Sequence, residues 1–484
     1  MTAVLYTWIQ ATRLYNDYSS KKGKQVSQPK FEPTNASIST RDLPIWYQEA
    51  KLGILITWGL YSVPAWAEGT KMSLQEAIVK DNAQTWFSHN PYAEWYFNSL
   101  QIEGSPTQAY HRKVYGEDFS YFDFLPRFNE AIKKWNADDM AESFAKIGAG
   151  YVVLTTKHHE GFLLWPSQTP NPFLENYYAC RDVAGELTEA VRKRGLRMGV
   201  YYSSGLDWTF NNQTIQSFQD LFTAIPQDYA YVQYIDSHWR ELIQRYNPDL
   251  LWADISSPQS YDPVPLFADF YNQNPDGVVN DRHKMQVTEE GFGSAVHYDF
   301  LTPEYQVFNA ISSKKWETCR GIGRSFSYNC NEDVDNFLSV KELVEMLVDV
   351  VSKNGNLLLS VGPKADGSIP KSQRERLEGL GHWLSVNGEA IFGTRPWKQP
   401  KAQTKEGERV RFTCKDNLIY LFLLDTPQNN EVTINEVDFN SLASVSFLAN
   451  NQPLNFTVEG SQLSLELPEH WEDSEAYVLK LMTD

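Results

Sequence analysis

Positive charge is in short supply. The 484 residues hold 43 Lys and Arg against 61 Asp and Glu, a formal net charge of −18 at pH 7. Such a chain is repelled by nucleic-acid phosphates and by anionic membrane surfaces, so neither is expected as a main partner. Cysteine is scarcer still: Cys180, Cys319, Cys330 and Cys414 make four, and none sits in a CxxC pair. That excludes a zinc ribbon and is too sparse for a disulfide framework, so buried free thiols are expected. No apolar run approaches the roughly 18 residues of a membrane span. The N-terminus has no basic start and no small-residue cleavage site, so it does not read as a signal peptide. Val4, Leu5, Trp8 and Ile9 suit one face of a short amphipathic helix instead. Localisation stays open, with the cytoplasm favoured, and the oligomeric state is open too, a homo-oligomer included.

Aromatic residues are plentiful, at 14% with 15 Trp and 26 Tyr. Most fill cores; some have the right shape to stack on sugar rings. The stretch 19–39 is polar, with Lys21-Lys22-Gly23-Lys24, Pro29 and Pro33, and reads as a surface arm or linker within an N-terminal segment 1–44. From residue 45 to 395, strand-like and helical runs alternate. Apolar, β-rich runs fall at 53–56, 151–155, 198–202, 250–252, 278–279 and 357–361. Several are unbroken, as in parallel strands buried on both faces. Between them, Asn136 caps a helix bearing Met140, Phe144 and Ile147, Asp182 opens one that stops at Gly195, and Ser339 with Glu342 forms a capping box. This order predicts a (β/α)8-like, TIM-type barrel. From 396 to 484 short alternating runs separated by turn residues predict a C-terminal antiparallel β-sandwich.

In such a barrel the chemistry gathers at the C-terminal ends of the strands. The run 151–155 leads into Thr156-Lys157-His158-His159-Glu160-Gly161-Phe162, and 198–202 into Ser203-Ser204-Gly205-Leu206-Asp207-Trp208. Leu250-Leu251-Trp252 ends in Ala253-Asp254, and Gly277-Val278-Val279 in Asn280-Asp281-Arg282. Asp254 places an ionisable group where a buried strand meets the mouth. A lone strand-end aspartate suits a helix N-cap or a structural ion pair equally well; the number of polar neighbours favours catalysis. On a strand, His158 and His159 would point to opposite faces, making one a core residue. A metal site on them lacks any HExxH-like spacing, and Glu160 would ligate or cap. Glu94 beside Trp95 pairs a carboxylate with an indole, a usual way to hold a sugar.

Five motifs, in order, carry a resemblance: Lys51-Leu52-Gly53-Ile54-Leu55-Ile56-Thr57-Trp58-Gly59, Thr155-Thr156-Lys157-His158-His159-Glu160-Gly161-Phe162, Tyr201-Tyr202-Ser203, Arg320-Gly321-Ile322-Gly323 and Asn354-Gly355-Asn356-Leu357-Leu358-Leu359-Ser360-Val361-Gly362-Pro363. Together they resemble the α-L-fucosidases of glycoside hydrolase family 29, from about residue 45 to 395 and weakly beyond, with no match in the first 40 residues. The resemblance implies a retaining exo-glycosidase acting on fucosylated glycans or glycosides without metal or organic cofactor. It puts the nucleophile on Asp254 and the acid/base on Glu304, in Pro303-Glu304-Tyr305. It lines the sugar pocket with Glu94, Trp95, His158, His159, Tyr201, Trp252, Arg282 and Phe326. One position departs from the pattern: where the family's first strand ends in His-Trp-Gly, this chain has Thr57-Trp58-Gly59. That histidine contacts sugar hydroxyls, and losing such a bond costs about 1–3 kcal/mol. Weakened fucose binding, a shifted sugar preference and a non-hydrolytic sugar-binding descendant all accommodate Thr57. Retention of both carboxylates favours an active enzyme with altered recognition. A metal hydrolase built on His158 and His159 is the remaining alternative.

Overall fold

A computed structural model describes residues 31–69, 77, 80, 82–288, 291–439, 441–468 and 471–483. The amphipathic helix expected near Val4 lies outside them. Seven strands form one parallel sheet: β1 (Leu52–Ile56), β2 (Tyr151–Lys157), β3 (Arg197–Ser203), β4 (Leu250–Asp254), β5 (Val278–Val279), and, after a hairpin of β6 (Met285–Thr288) and β7 (Gly291–Ser294), β8 (Trp316–Gly321) and β9 (Gly355–Val361). Their order is β5-β4-β3-β2-β1-β9-β8. The gap between β5 and β8 is closed by the segment 299–305. The Asp299 N–H reaches the Val279 carbonyl at 2.9 Å, and the Glu317 N–H reaches that of Leu301 at 2.8 Å. Single bridges join Asn280 to Phe300, Leu301 to Trp316 and Glu304 to Cys319. An irregular segment thus stands in the place of an eighth strand, and the sheet is a TIM-like barrel.

Alternation along each strand sorts its side chains into two layers. Leu52, Ile54 and Ile56 pack outward under the helices, as do Leu251 and Ala253. Leu55, Tyr151, Val153, Tyr201, Leu250, Trp252 and Leu358 fill the interior. Asp254 shares its parity with Leu250 and Trp252, so it faces inward at the mouth. The expected helix caps form. Asn136 accepts from the Asp138 and Asp139 N–H groups, Asp182 accepts from that of Gly185, and Ser339 with Glu342 closes a reciprocal box.

The segment 31–44, part of the stretch expected to be arm or linker, docks on the barrel. Phe31 N–H donates to Asn272 at 2.8 Å, Arg41 pairs with Asp299 at 3.2 Å, and Ile38 is buried. β8 was not among the expected strands, because Trp316-Glu317-Thr318-Cys319-Arg320 interrupts its apolar residues with two charges. The cysteine expectation needs correction: all four are free, but only Cys319 is buried, while Cys180 and Cys330 are exposed in loops and Cys414 is intermediate.

The C-terminal strands are β10 (Arg395–Gln403), β11 (Arg409–Lys415), β12 (Leu418–Leu423), β13 (Glu431–Ile434), β14 (Leu442–Phe447), β15 (Asn455–Glu459), β16 (Gln462–Glu466) and β17 (Tyr477–Thr483). They make antiparallel sheets ordered β10-β11-β12-β17-β14 and β13-β16-β15. These enclose a second core that includes Phe412, Leu421, Leu463 and Leu479. Arg409 ties this sandwich to the barrel helix Val340–Ser352 through Glu345 at 2.9 Å.

Gly53 stands opposite Tyr151 in the β1–β2 pairing. A Cβ there would fall 2.3 Å from the Tyr151 ring, and that ring is locked beneath the pocket by a hydrogen bond to Glu317. We expect Gly53→Ala to lower stability by about 1–3 kcal/mol, read as a fall in the thermal unfolding midpoint.

Candidate active site

Asp254 ends β4 among three donors. The Tyr201 hydroxyl donates to its Oδ2 at 2.8 Å; Arg282 Nη1, at 2.9 Å, and the Ile255 N–H, at 3.0 Å, donate to Oδ1. Glu304 comes from the closing segment. Arg282 Nη1 also reaches its Oε2, at 3.4 Å, and the Tyr92 hydroxyl donates to its Oε1 at 3.1 Å. One guanidinium nitrogen therefore touches both carboxylates. Arg282 is itself fixed by the Thr302 hydroxyl (2.9 Å) and carbonyl (2.8 Å), and it lies 4.8 Å over the Trp252 ring. Burial raises the Glu304 pKa, Arg282 opposes the rise, and the charge of Asp254 adds to it.

Around this pair, Trp252 stacks on Tyr201 with centroids 5.3 Å apart, and Trp95 meets His159 edge-on at 5.4 Å. His158 and His159 are both buried and both line the same cavity, so neither takes the alternative of a core histidine. β2 ends at Lys157, so strand alternation no longer governs the pair. Burial holds both imidazoles well below their ordinary pKa, hence neutral. The Ser203 hydroxyl spends its hydrogen on the Leu206 carbonyl at 2.8 Å, so it accepts from His159 Nδ1 at 2.7 Å. That tautomer leaves His159 Nε2, 3.9 Å from Asp254, as an acceptor. Glu94 Oε2 accepts from Ser325 Oγ at 3.1 Å and from Ser327 N and Oγ at 3.0 and 2.7 Å. Glu160 turns away to cap the Leu60 N–H at 3.0 Å and to bind Tyr121, so it does not join the histidines. Among the described residues no group of three or more His, Cys, Asp or Glu is placed to hold a metal ion.

Thr57 is buried at the head of β1 and its hydroxyl meets Ser360 Oγ at 2.9 Å. Ser360 donates onward to the Phe326 carbonyl at 3.0 Å, so Thr57 is the donor in the first bond and presents only acceptor capacity elsewhere. The Phe326 ring packs edge-on against Tyr92 at 5.4 Å. All eleven residues singled out from the sequence line one cavity of about 1220 Å³.

Sequence reasoning missed Tyr92, which lies in a loop with no periodic signal. Ser360 was legible only as the polar break in Leu357-Leu358-Leu359-Ser360. It also missed Glu317, the buried base of the site. Glu317 accepts from Tyr47 at 2.9 Å, from Trp252 Nε1 at 3.0 Å and from Tyr151. Burial pushes it up to about 6 against these donors.

A parallel barrel whose mouth sets two carboxylates around one arginine, walled by indole and imidazole rings, has the makings of a glycoside hydrolase. Known proteins specify which. The Alpha-L-fucosidase family model matches residues 18–389, and the Alpha-L-fucosidase C-terminal domain model matches 403–482. The match starts at residue 18, within the stretch that the motifs left unmatched. The tissue alpha-L-fucosidase of Bos taurus is 32% identical over 457 residues, 91% of this chain and 88% of its own, and the human tissue enzyme is 31% identical over 455. A Thermotoga maritima alpha-fucosidase structure in complex with fucose is 41% identical with a TM-score of 0.83, covering 93% of this chain and 100% of that one. The chain belongs to the α-L-fucosidase family of glycoside hydrolases.

Replacing Glu317 by leucine would strand three buried donors, whereas glutamine keeps an acceptor. We expect Glu317→Leu to cost about 3 kcal/mol or more and Glu317→Gln distinctly less, an order checked by thermal unfolding.

Proposed function

We propose that this chain is a retaining, exo-acting α-L-fucosidase that works by double displacement, with Asp254 as nucleophile and Glu304 as acid/base. The shared Arg282 Nη1 carries this reading. Contacts of 2.9 and 3.4 Å from one nitrogen gather both carboxylates around a single cation, an arrangement that suits the short separation, roughly 5–5.5 Å, used in double displacement. Asp254 attacks the anomeric carbon to form a glycosyl ester while Glu304 passes its proton to the leaving oxygen. Glu304 then takes a proton from the water that cleaves the ester. The raised pKa of Glu304 suits it to hold that first proton.

Glu94, His158, His159 and Thr57 take the sugar's hydroxyls in this reading, while Trp95, Tyr201, Trp252 and Phe326 supply the ring walls. The Thermotoga maritima structures bound to fucose and to a mechanism-based inhibitor support the choice of sugar. Thr57 weakens the hold on one hydroxyl without touching either carboxylate, so cleavage persists with altered recognition.

We expect Asp254→Ala to lower kcat on an aryl α-L-fucoside by at least about 10³-fold, with the wild type releasing fucose of retained configuration by NMR. Near-normal turnover by that variant would remove Asp254 from the role. The acid must be protonated, so kcat/KM falls as pH rises through the Glu304 pKa. The Tyr92 hydroxyl favours the ionised carboxylate and lowers that pKa. Tyr92→Phe should therefore move the basic limb of the pH profile to higher pH.

A further inference from the structure

The residue after the proposed nucleophile is strained. Ile255 has φ 50° and Ser256 φ 65°, two consecutive non-glycine residues in the left-handed region. For a β-branched side chain this is costly, and it persists only where something compensates. The backbone gain is plain: the bend returns the Ile255 N–H to Asp254 Oδ1 at 3.0 Å. Glycine or asparagine would supply that N–H at less cost. What isoleucine adds is its side chain, which is half-buried and lines the cavity, as Phe218, Leu221 and Phe222 also do.

These residues are apolar lining of the same cavity as Asp254 and Glu304, and a run of aromatic rings leads from Glu304 to Phe218. The Tyr92 hydroxyl touches Glu304 at 3.1 Å, the Tyr92 ring meets Trp86 at 5.3 Å, Trp86 meets Phe87 at 5.0 Å, and Phe87 meets Phe218 at 5.7 Å. The acid/base of a retaining enzyme stands beside the leaving group, so that group occupies this cavity outside the sugar's own place. The cavity, about 1220 Å³, exceeds the roughly 300–1,000 Å³ of an ordinary small-molecule pocket, and one sugar leaves much of it unfilled.

We propose that Ile255, Phe218, Leu221 and Phe222 form an aglycone subsite for an aromatic or otherwise apolar group next to the scissile oxygen. This rests on the fucoside-cleaving reading above. Isoleucine is kept in a left-handed conformation because its side chain closes the floor of that subsite against the catalytic aspartate.

The test is calorimetric binding of phenyl and methyl 1-thio-α-L-fucopyranosides, both resistant to cleavage, to the wild type, Ile255→Gly and Phe222→Ala. The phenyl compound should bind the wild type about tenfold more tightly than the methyl. The gap should shrink to about twofold or less in each variant that folds, with methyl affinity retained. Equal affinities in the wild type, or a gap that survives both substitutions, overturn the subsite. Loss of methyl binding in the variants also overturns it, because these residues would then belong to the sugar pocket. Failure of the wild type to bind either compound overturns the fucoside reading itself.

Discussion

One buried positive charge governs this site. Arg282 stands between Asp254 and Glu304, within 2.9 and 3.4 Å, in a largely enclosed place where water screens a second anion less than in bulk. A single cation neutralises one carboxylate, and ionising both would leave an uncompensated buried charge. The geometry decides where a proton rests. Three donors converge on Asp254, while Glu304 has two, one of them the longer arginine contact. Burial raises the Glu304 pKa, Arg282 opposes the rise, and the charge of Asp254 adds to it. Two acids of similar intrinsic strength are thereby placed in different surroundings around one cation.

The charge can hold this position only because the barrel interior beneath it is rigid. Trp252 lies under the guanidinium, and its indole N–H is pinned from below by Glu317. Tyr47, from the helix Ile45–Ala50 that precedes β1, and Tyr151, from β2, bind the same carboxylate. Tyr201 stacks on Trp252 and carries its hydroxyl to Asp254. A polar layer deep in the barrel is thus coupled, through one aromatic stack, to both the arginine and the Asp254 carboxylate beside it. Its cost is the desolvation of Glu317, offset by three donors.

What the sequence disclosed follows from how local each signal is. Asp254 was readable because an unbroken apolar run fixes its strand, and parity along that strand fixes which way it faces. The capped helices were readable for the same reason. Glu304 was not: it sits in a closing segment with no periodicity, and only the family motifs pointed to it. β8 was hidden because Glu317 and Arg320 break its apolar pattern, although Glu317 is among the most consequential interior residues. Tyr92 and Ser360 act through contacts with residues more than 200 positions away, Glu304 being 212 from the first and Thr57 303 from the second, which no local pattern encodes.

The hydrogen-bond directions also say what kind of ligand surface the pocket offers. His159 Nδ1 donates to Ser203, so Nε2 accepts. Thr57 donates to Ser360, so its remaining capacity is to accept. Glu94 is held at Oε2 by Ser325 and Ser327, which leaves its other oxygen as a further acceptor. Acceptors set along one wall match a partner that brings several hydroxyl donors, as a sugar does. Thr57 fits this pattern, offering acceptor capacity without charge and without contact to Arg282 or the two acids.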